Sequence, residues 1–301
     1  MIRLDQLNET FVSNIRSIYR DKGKEWSKDL PKILQDLSER WNFRLIAPQE
    51  NLSYNFVGLV ELLSRGQKLM LKVSPEAERL NSEVEALKCF YSDVPQVYKH
   101  DRGNAFLMEL LSPAVTLKDL VRDGKDDEAT RILAQKIVKL HQNQKPSNYP
   151  FKHLRSLAPS FDILSGLMPQ RMLSKAKSIF LDLTKQQPED LILHADLHHE
   201  NILSHGSAWI VIDPHGYIGD PIAETAAMIR NPYDAFPKDI ALERVIDRRL
   251  KIMQEELAFD FERMQAWAFC ITVLSEAASV EDFGPEHKID YEFLRILEPP
   301  K

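Results

Sequence analysis

Three side chains in the middle of the chain are of the types that phosphoryl transfer needs: Asp196, Asn201 and Asp213. Moving a phosphoryl group from a nucleotide asks little covalent chemistry of a protein. One carboxylate orients the attacking hydroxyl and takes its proton, while an amide and a second carboxylate hold magnesium on the phosphates. Asp196 and Asn201 fall in one loop with the spacing Asp-x4-Asn, inside residues 191–221, LILHADLHHENILSHGSAWIVIDPHGYIGDP. That stretch reads as strand, polar loop, strand, turn, second apolar strand and acidic loop. Asp213 follows the run Trp209-Ile-Val-Ile212, a strand able to pair back alongside the loop and bring the three groups together.

The same stretch has other chemistry open to it. His194, His198, His199, His205 and His215 are spaced closely enough to suggest a metallohydrolase, since imidazole and carboxylate suit zinc. Against this, His-x-Asp-x-His-His is not a zinc spacing, and the chain has no HEXXH or CxxC motif. His194 reads as a structural histidine bonded to loop backbone. No role follows for His198 or His199, and Asp220 in Gly-Asp-Pro fits turn chemistry as well as it fits a site.

The wording LHADLHHENIL followed by IDPHGYIGDPIAETAAMIRNP resembles protein-kinase-like enzymes of the aminoglycoside phosphotransferase superfamily, and within it the aminoglycoside/hydroxyurea resistance kinase family. The resemblance is strong over residues 191–232 and looser over the rest of the chain. One departure is Ala195, where such enzymes usually carry glycine; whether the backbone needs a positive φ there decides what the change means. The resemblance implies an enzyme that uses ATP and Mg2+ to phosphorylate a hydroxyl of a small molecule, with streptomycin 6-phosphotransferase activity as the leading case. A metabolic sugar or amino-alcohol kinase is the second reading. A nucleotide-binding pseudokinase is a third, opposed by the presence of the catalytic side chains. By the same resemblance Asp196 is the base and Asn201 and Asp213 bind the metal. Lys72 is the α/β-phosphate ligand, with Glu83 of Glu-x-Glu-Ala-Leu as its ion-pair partner and Glu85 as the competitor. Ser53, Tyr54 and Asn55 take the place of a Gly-rich phosphate loop. The carbonyl of Glu109 and the amide of Leu111 are implied to bond adenine, with Met108 lining the pocket.

The elements that must position these residues follow from apolar spacing. Helices are expected within residues 1–40, one with Phe11, Ile15 and Ile18 on one face and a second, entered at Asp29-Leu-Pro31, with Leu30, Ile33, Leu34 and Leu37 on one face. Strands are expected at residues 43–46, 51–60, 68–73, 94–97 and 104–111, with a hairpin turn at 64–67 and a break at Pro113. A helix over 75–90 carries Glu83. Beyond it come a short segment at 117–121 and a strongly amphipathic helix over 128–143 with Ala134, Ile137, Val138 and Leu140 as its apolar residues. A connector at 146–159, helical sequence at 161–184, and helices at 222–230, 238–256 and 259–278 follow, with a last helical piece from Asp290. Strands gather before residue 111 and helices dominate after 112. That segregation predicts an α+β, two-lobed protein-kinase-like fold with an N-lobe at 1–111 and a C-lobe at 112–301.

Composition narrows the partners. The chain has 301 residues, 44% hydrophobic and 28% charged, with a net charge of −6. That balance suits a soluble globular protein and disfavours nucleic acid or anionic membrane as a partner. Cys89 and Cys270 sit in apolar helical contexts and read as buried free thiols. No apolar run reaches the ~18 residues of a membrane span, and the N-terminus lacks the pattern of a secretory signal, so a cytoplasmic location is expected. No exposed heptad pattern suggests assembly, so a monomer is expected. Carboxylates are frequent in the last third, at Asp260, Glu262, Glu276, Glu281, Asp282 and Glu286. If several line a cleft beside Asp196 they would hold a cationic acceptor; otherwise they are solvated helix faces.

Overall fold

The computed structural model describes residues 9–50, 52–90, 92–142, 144, 150–185, 190–236 and 240–300. The ends of several expected segments, namely residues 1–8, Asn51, Asn143, 146–149 and 238–239, lie outside the described residues. Two compact units are present, Met1–Glu85 with Pro95–Leu110 and Ala86–Val94 with Leu111–Lys301. Ala86–Val94 groups with the second unit because Ala86 and Phe90 are part of that unit's core.

In the first unit, helices α1 (Glu9–Ile18) and α2 (Arg20–Trp41) precede β1 (Phe43–Pro48), β2 (Phe56–Leu62), β3 (Lys68–Val73), helix α3 (Ala77–Cys89), β4 (Val97–His100) and β5 (Ala105–Glu109). The strands form one antiparallel sheet in the order β1-β2-β3-β5-β4. Successive side chains of a strand point to opposite faces, and the burial follows that rule. Leu69, Leu71 and Val73 of β3 join Phe56, Val60, Ala105 and Leu107 in a core with Phe11, Ile15, Leu30, Leu34 and Leu37 of the helices. Lys72 lies opposite Phe106 of β5 and shares its alternation with Met70, so it is excluded from that core.

Pro31 does not open a helix as expected; it lies inside α2, which runs unbroken from Arg20. Proline at that position forfeits the bond its N–H would give to the preceding turn. Burial of Trp26, Leu30, Leu34 and Leu37 along one face carries the helix through. Asn42 then closes it in a left-handed conformation, its amide bonded to the Ser38 carbonyl.

The second unit contains β6 (Pro113–Thr116), α4 (Leu117–Arg122), α5 (Asp126–His141), β7 (Lys152–His153), α6 (Gln170–Leu183), β8 (Leu191–Leu193), β9 (Ile202–His205), β10 (Ala208–Val211), β11 (Tyr217–Gly219), α7 (Ala226–Arg230), α8 (Leu242–Leu257), α9 (Phe261–Phe283) and α10 (Tyr291–Leu297). Pro113 therefore begins a strand instead of only ending one. Two small sheets result, β10-β9-β6 and β7-β11-β8. The expected connector at 146–159 ends in a 3-10 helix, Leu154–Leu164, whose Leu154, Phe161 and Leu164 are buried. In α5, Ala134, Ile137 and Leu140 are buried with Leu133, but Val138 is 41% exposed and belongs to the outer face. Helix α9 is buried on nearly every side, through Met264, Trp267, Phe269, Val273 and Ala277, and is the axis on which the unit packs. Cys270 on it is buried while Cys89, expected to be buried, is half-buried; neither forms a disulfide among the described residues. No helix among the described residues is long and apolar enough to cross a membrane.

One buried charge fixes the far end of this unit. Arg249 of α8, 0% exposed, forks onto Asp126 at the start of α5 and donates to the carbonyls of Met228, Ile229 and Asn231 at 2.8, 3.3 and 2.5 Å. Removing one partner of a buried ion pair leaves an uncompensated charge. Arg249→Met is therefore expected to lower unfolding free energy by about 3–5 kcal/mol, read from urea denaturation. Asp126→Leu combined with it should recover part of the loss.

Candidate active site

The loop after β8 is built around histidine and one buried carboxylate. His194 is fully buried; its Nδ1 accepts the Asp196 amide at 3.2 Å and its Nε2 donates to the Ile212 carbonyl at 2.8 Å. Both ring nitrogens are thus committed to backbone, so His194 acts as a strut. Burial pushes its pKa down against the pull of Glu224 and Asp196, which keeps the ring neutral.

The next residue, Ala195, has φ = 65°, the left-handed region that glycine adopts freely. Glu224, from the 3-10 turn Pro221–Thr225, holds that conformation. Its carboxylate accepts the amides of His194 at 2.7 Å and Ala195 at 2.9 Å, and His141 of α5 approaches it at 3.5 Å. Burial pushes the Glu224 carboxyl up, but His141, His194 and the Ala195 amide outweigh it and leave the pKa below the ordinary value.

Asp196 emerges from this support with its side chain 32% exposed and two further imidazoles at hand. His198 Nε2 stands 3.6 Å and His215 Nε2 3.8 Å from its Oδ2. Burial raises the Asp196 pKa; the His198 hydrogen bond and charge, with His215 and His194, more than reverse it. The carboxylate is held well below the usual range and is ionised at neutral pH.

Asn201 closes the 3-10 turn His199–Asn201. Its Nδ2 donates to the Asp196 carbonyl at 2.9 Å, which leaves the amide oxygen for a ligand. Ile212 at the end of the returning β10 segment donates its amide to the Asn201 carbonyl at 2.9 Å, and His215 donates to the His194 carbonyl at 2.8 Å. These two bonds seat Asp213, itself at φ = 61°, beside the loop. Asp196, Asn201 and Asp213 are therefore brought to one place by backbone pairing, as their order along the chain implies. An amide oxygen and a carboxylate are the oxygen donors that magnesium takes, so this pair fits that ion.

The other histidines and acids are sorted by the fold. His199 is buried with neither ring nitrogen hydrogen-bonded among the described residues, and burial holds it neutral, with Arg249 and His198 pushing the same way. Asp220 is structural: Oδ1 caps the turn at Ile222, and Oδ2 takes Arg263 Nε at 2.6 Å and Trp267 Nε1 at 2.7 Å. Of the six late carboxylates, Asp260 caps α9 through the Arg263 amide, Asp282 is half-buried, and Glu262, Glu281 and Glu286 are exposed. Glu276 is buried, with His287 at 2.9 Å.

In the first unit, Lys72 Nζ lies 2.9 and 2.8 Å from the two oxygens of Glu83, at 3% and 7% side-chain exposure. Glu83, and not its competitor Glu85, faces the sheet side on which Lys72 stands. Ser53, Tyr54 and Asn55 form the bend entering β2, with the Arg79 guanidinium 5.9 Å from the Tyr54 ring. Met108 is buried in β5 between Met70 and Val97, and the Glu109 amide and side chain are bonded to Gln96. Leu111 is buried in the second unit.

Two residues that support this loop, and one at the end of α7, are absent from the sequence-based set. Glu224 lies in the run IAETAAMI, where a lone acid among buried apolar residues is the available signal. Lys118 of α4 ties Glu200 of the loop at 2.8 Å to Asp234 at 2.7 Å, a link no local spacing reveals. Arg230 ends α7 with its Nε buried.

Residues 48–284 match the family described as aminoglycoside/hydroxyurea antibiotic resistance kinase. A streptomycin 3''-kinase of Klebsiella pneumoniae is 35% identical over 252 residues, covering 81% of this chain and 91% of that protein. A streptomycin 6-kinase of Streptomyces glaucescens is 24% identical over 289 residues, covering 93% and 92%. Among solved structures, choline kinase LicA from Streptococcus pneumoniae superposes with a TM-score of 0.60 at 13% identity, over 89% of this chain and 96% of that one. The fold is thus the α+β protein-kinase-like fold, with a β-sheet N-terminal part and a mostly helical C-terminal part.

Because the folded-state pKa of Glu224 is depressed, its contribution to stability is present above about pH 4.3, the unfolded value, and is lost as pH falls through the lower folded value. Glu224→Gln turns an N–H toward one of the two loop amides and leaves that donor unpaired, a loss of about 1–3 kcal/mol. Urea unfolding followed against pH is expected to show a less stable variant at pH 7 and a shallower decline in acid.

Proposed function

The chain belongs to the aminoglycoside/hydroxyurea antibiotic resistance kinase family, which makes it an ATP-using phosphotransferase acting on a hydroxyl of a small molecule, and from that premise we propose that its acceptor is streptomycin. The observation that carries the chemistry is the loop that seats an ionised Asp196 beside Asn201 and Asp213. For the acceptor, the support is the 35% identity to a streptomycin 3''-kinase across most of both chains. That favours the 3'' hydroxyl; the 6 hydroxyl is the second reading, supported by the 24% identity to a 6-kinase.

In the proposed reaction the acceptor hydroxyl oxygen bonds to the γ-phosphorus and the bond from that phosphorus to the bridging oxygen breaks. ADP leaves, and the hydroxyl proton passes to Asp196. A carboxylate with so low a pKa is a weak ground-state base. Its task is to hold the hydroxyl in line and accept the proton late, which suits a loose transition state with little demand on the nucleophile. The assigned phosphate ligand is Lys72, oriented by Glu83 in a buried ion pair. Mg2+ would be held by Asn201 and Asp213, where it neutralises phosphate charge. Ser53, Tyr54 and Asn55 are assigned to the phosphates, and Met108, Glu109 and Leu111 to adenine. The proposed setting is the cytoplasm, where ATP is held, and the proposed state is a monomer.

Purified protein with magnesium-ATP and streptomycin is expected to release ADP only when streptomycin is present, and mass spectrometry should find one phosphoryl group on the product. Mapping by NMR then distinguishes the 3'' from the 6 position. Asp196→Asn should reduce turnover by about 10²–10⁴-fold with ATP affinity nearly intact, and Asp213→Ala should abolish it. Undiminished turnover in either variant would remove the role given to that residue.

A further inference from the structure

Helix α7 ends at Arg230, whose surroundings the proposed mechanism does not use. The residue is half-buried and its Nε is sealed from solvent, yet that Nε has no hydrogen-bond partner among the described residues. A buried donor without an acceptor is destabilising, and folded proteins rarely leave one.

The backbone around Arg230 is firmly held. The buried Arg249 donates to carbonyls on both sides of it, those of Met228, Ile229 and Asn231. Asn231 Nδ2 returns to the Ala227 carbonyl at 2.9 Å, and the Phe236 ring covers the Arg249 guanidinium at 4.6 Å. Arg230 is therefore presented from a rigid turn.

Two carboxylates act on its charge without an ion pair among the described residues. Asp196 and Glu276 both draw the guanidinium toward its charged form, against burial, which disfavours it. Glu276 bonds His287, and Asp196 is flanked by His198 and His215; neither forms an ion pair with Arg230.

We propose that Arg230 is a further catalytic residue, whose guanidinium binds oxygens of the phosphoryl group as it reaches the acceptor hydroxyl at Asp196. This rests on the phosphotransferase reading above. A guanidinium accepts no hydrogen bond and repels the cationic groups of a streptomycin-like acceptor, so it is ill suited to hold them. Its planar N–H array matches the paired oxygens of a phosphoryl group. The need is electrostatic. Asp196 is ionised, the transferring group spreads negative charge over three oxygens, and these like charges must approach each other. A fixed cation within electrostatic reach of Asp196 offsets that repulsion without reorganising. Arg230 exchanges no atom or electron; the bonds made and broken are those given above.

The test compares wild type, Arg230→Lys and Arg230→Met with magnesium-ATP and streptomycin, measuring kcat, both KM values and thermal unfolding. Arg230→Met is expected to lose about 100-fold or more in kcat, with both KM values changed by less than about threefold. Arg230→Lys, which keeps the charge but not the fork, should fall between. Its Tm should hold or rise in the methionine variant, because no partner is left behind. Unchanged kcat, a rise confined to the streptomycin KM, or a kcat loss accompanied by a fall in Tm would each overturn the proposal. A wild-type protein inactive on streptomycin would overturn the acceptor reading and this inference together; an active wild type matched by Arg230→Met would overturn this inference alone.

Discussion

Two backbone amides pointing at one buried carboxylate set the geometry of the whole active loop. Glu224 takes the amides of His194 and Ala195, and that grip holds Ala195 in a left-handed conformation which alanine alone disfavours. With Ala195 turned that way, β8 ends and Asp196 projects from the chain as it leaves the sheet. The β7-β11-β8 sheet below and the returning bond from His215 to His194 depend on the same turn. Glu224 in turn needs its own charge preserved in a buried place, and His141, His194 and the loop amides do that. Structural support and charge control are one arrangement here.

Around this turn, histidine does two different jobs. His194 and His199 are buried and neutral, one bracing the loop and the other filling it. His198 and His215 reach Asp196 from opposite segments and keep it ionised. Of the cluster that suggests a metal site in a linear reading, His194, His198 and His215 are, in space, gathered around a carboxylate. Beyond it, the Arg249–Asp126 pair is expensive to bury and makes sense as a device for fixing position. It gathers three carbonyls around Arg230 and joins α5, α7 and α8.

The first unit solves a similar problem by strand alternation. A lysine within an apolar strand cannot join the core under α1 and α2, so Lys72 is sent to the other face, where α3 supplies Glu83. Burial of both groups makes the pair rigid. Its neighbours Met70, Phe106 and Met108 leave it little water, which is why a charge there requires a partner of opposite sign.

Much of this was legible in the sequence because it is local. The Asp-x4-Asn spacing, the β-branched run before Asp213 and the hairpin around residues 64–67 are short-range patterns. Period-2 and period-3.6 burial separated a strand-rich first part from a helical second part. Where local rules met long-range packing, they failed. Pro31 reads as a helix start, yet the sheet beneath α2 rewards an unbroken apolar face; Val138 reads as core, yet α5 turns it outward. Glu224 and Lys118 carry no spacing signal, because their partners lie about 30 and 80 residues away in the chain. The sequence by itself determined which groups are present for phosphoryl transfer and which elements carry them. Tertiary structure alone decided the ionisation of Asp196, the choice of Glu83 over Glu85, and the lack of a partner for Arg230 Nε among the described residues. Each of those depends on what is brought close in a low-dielectric interior, and only the folded chain sets such distances.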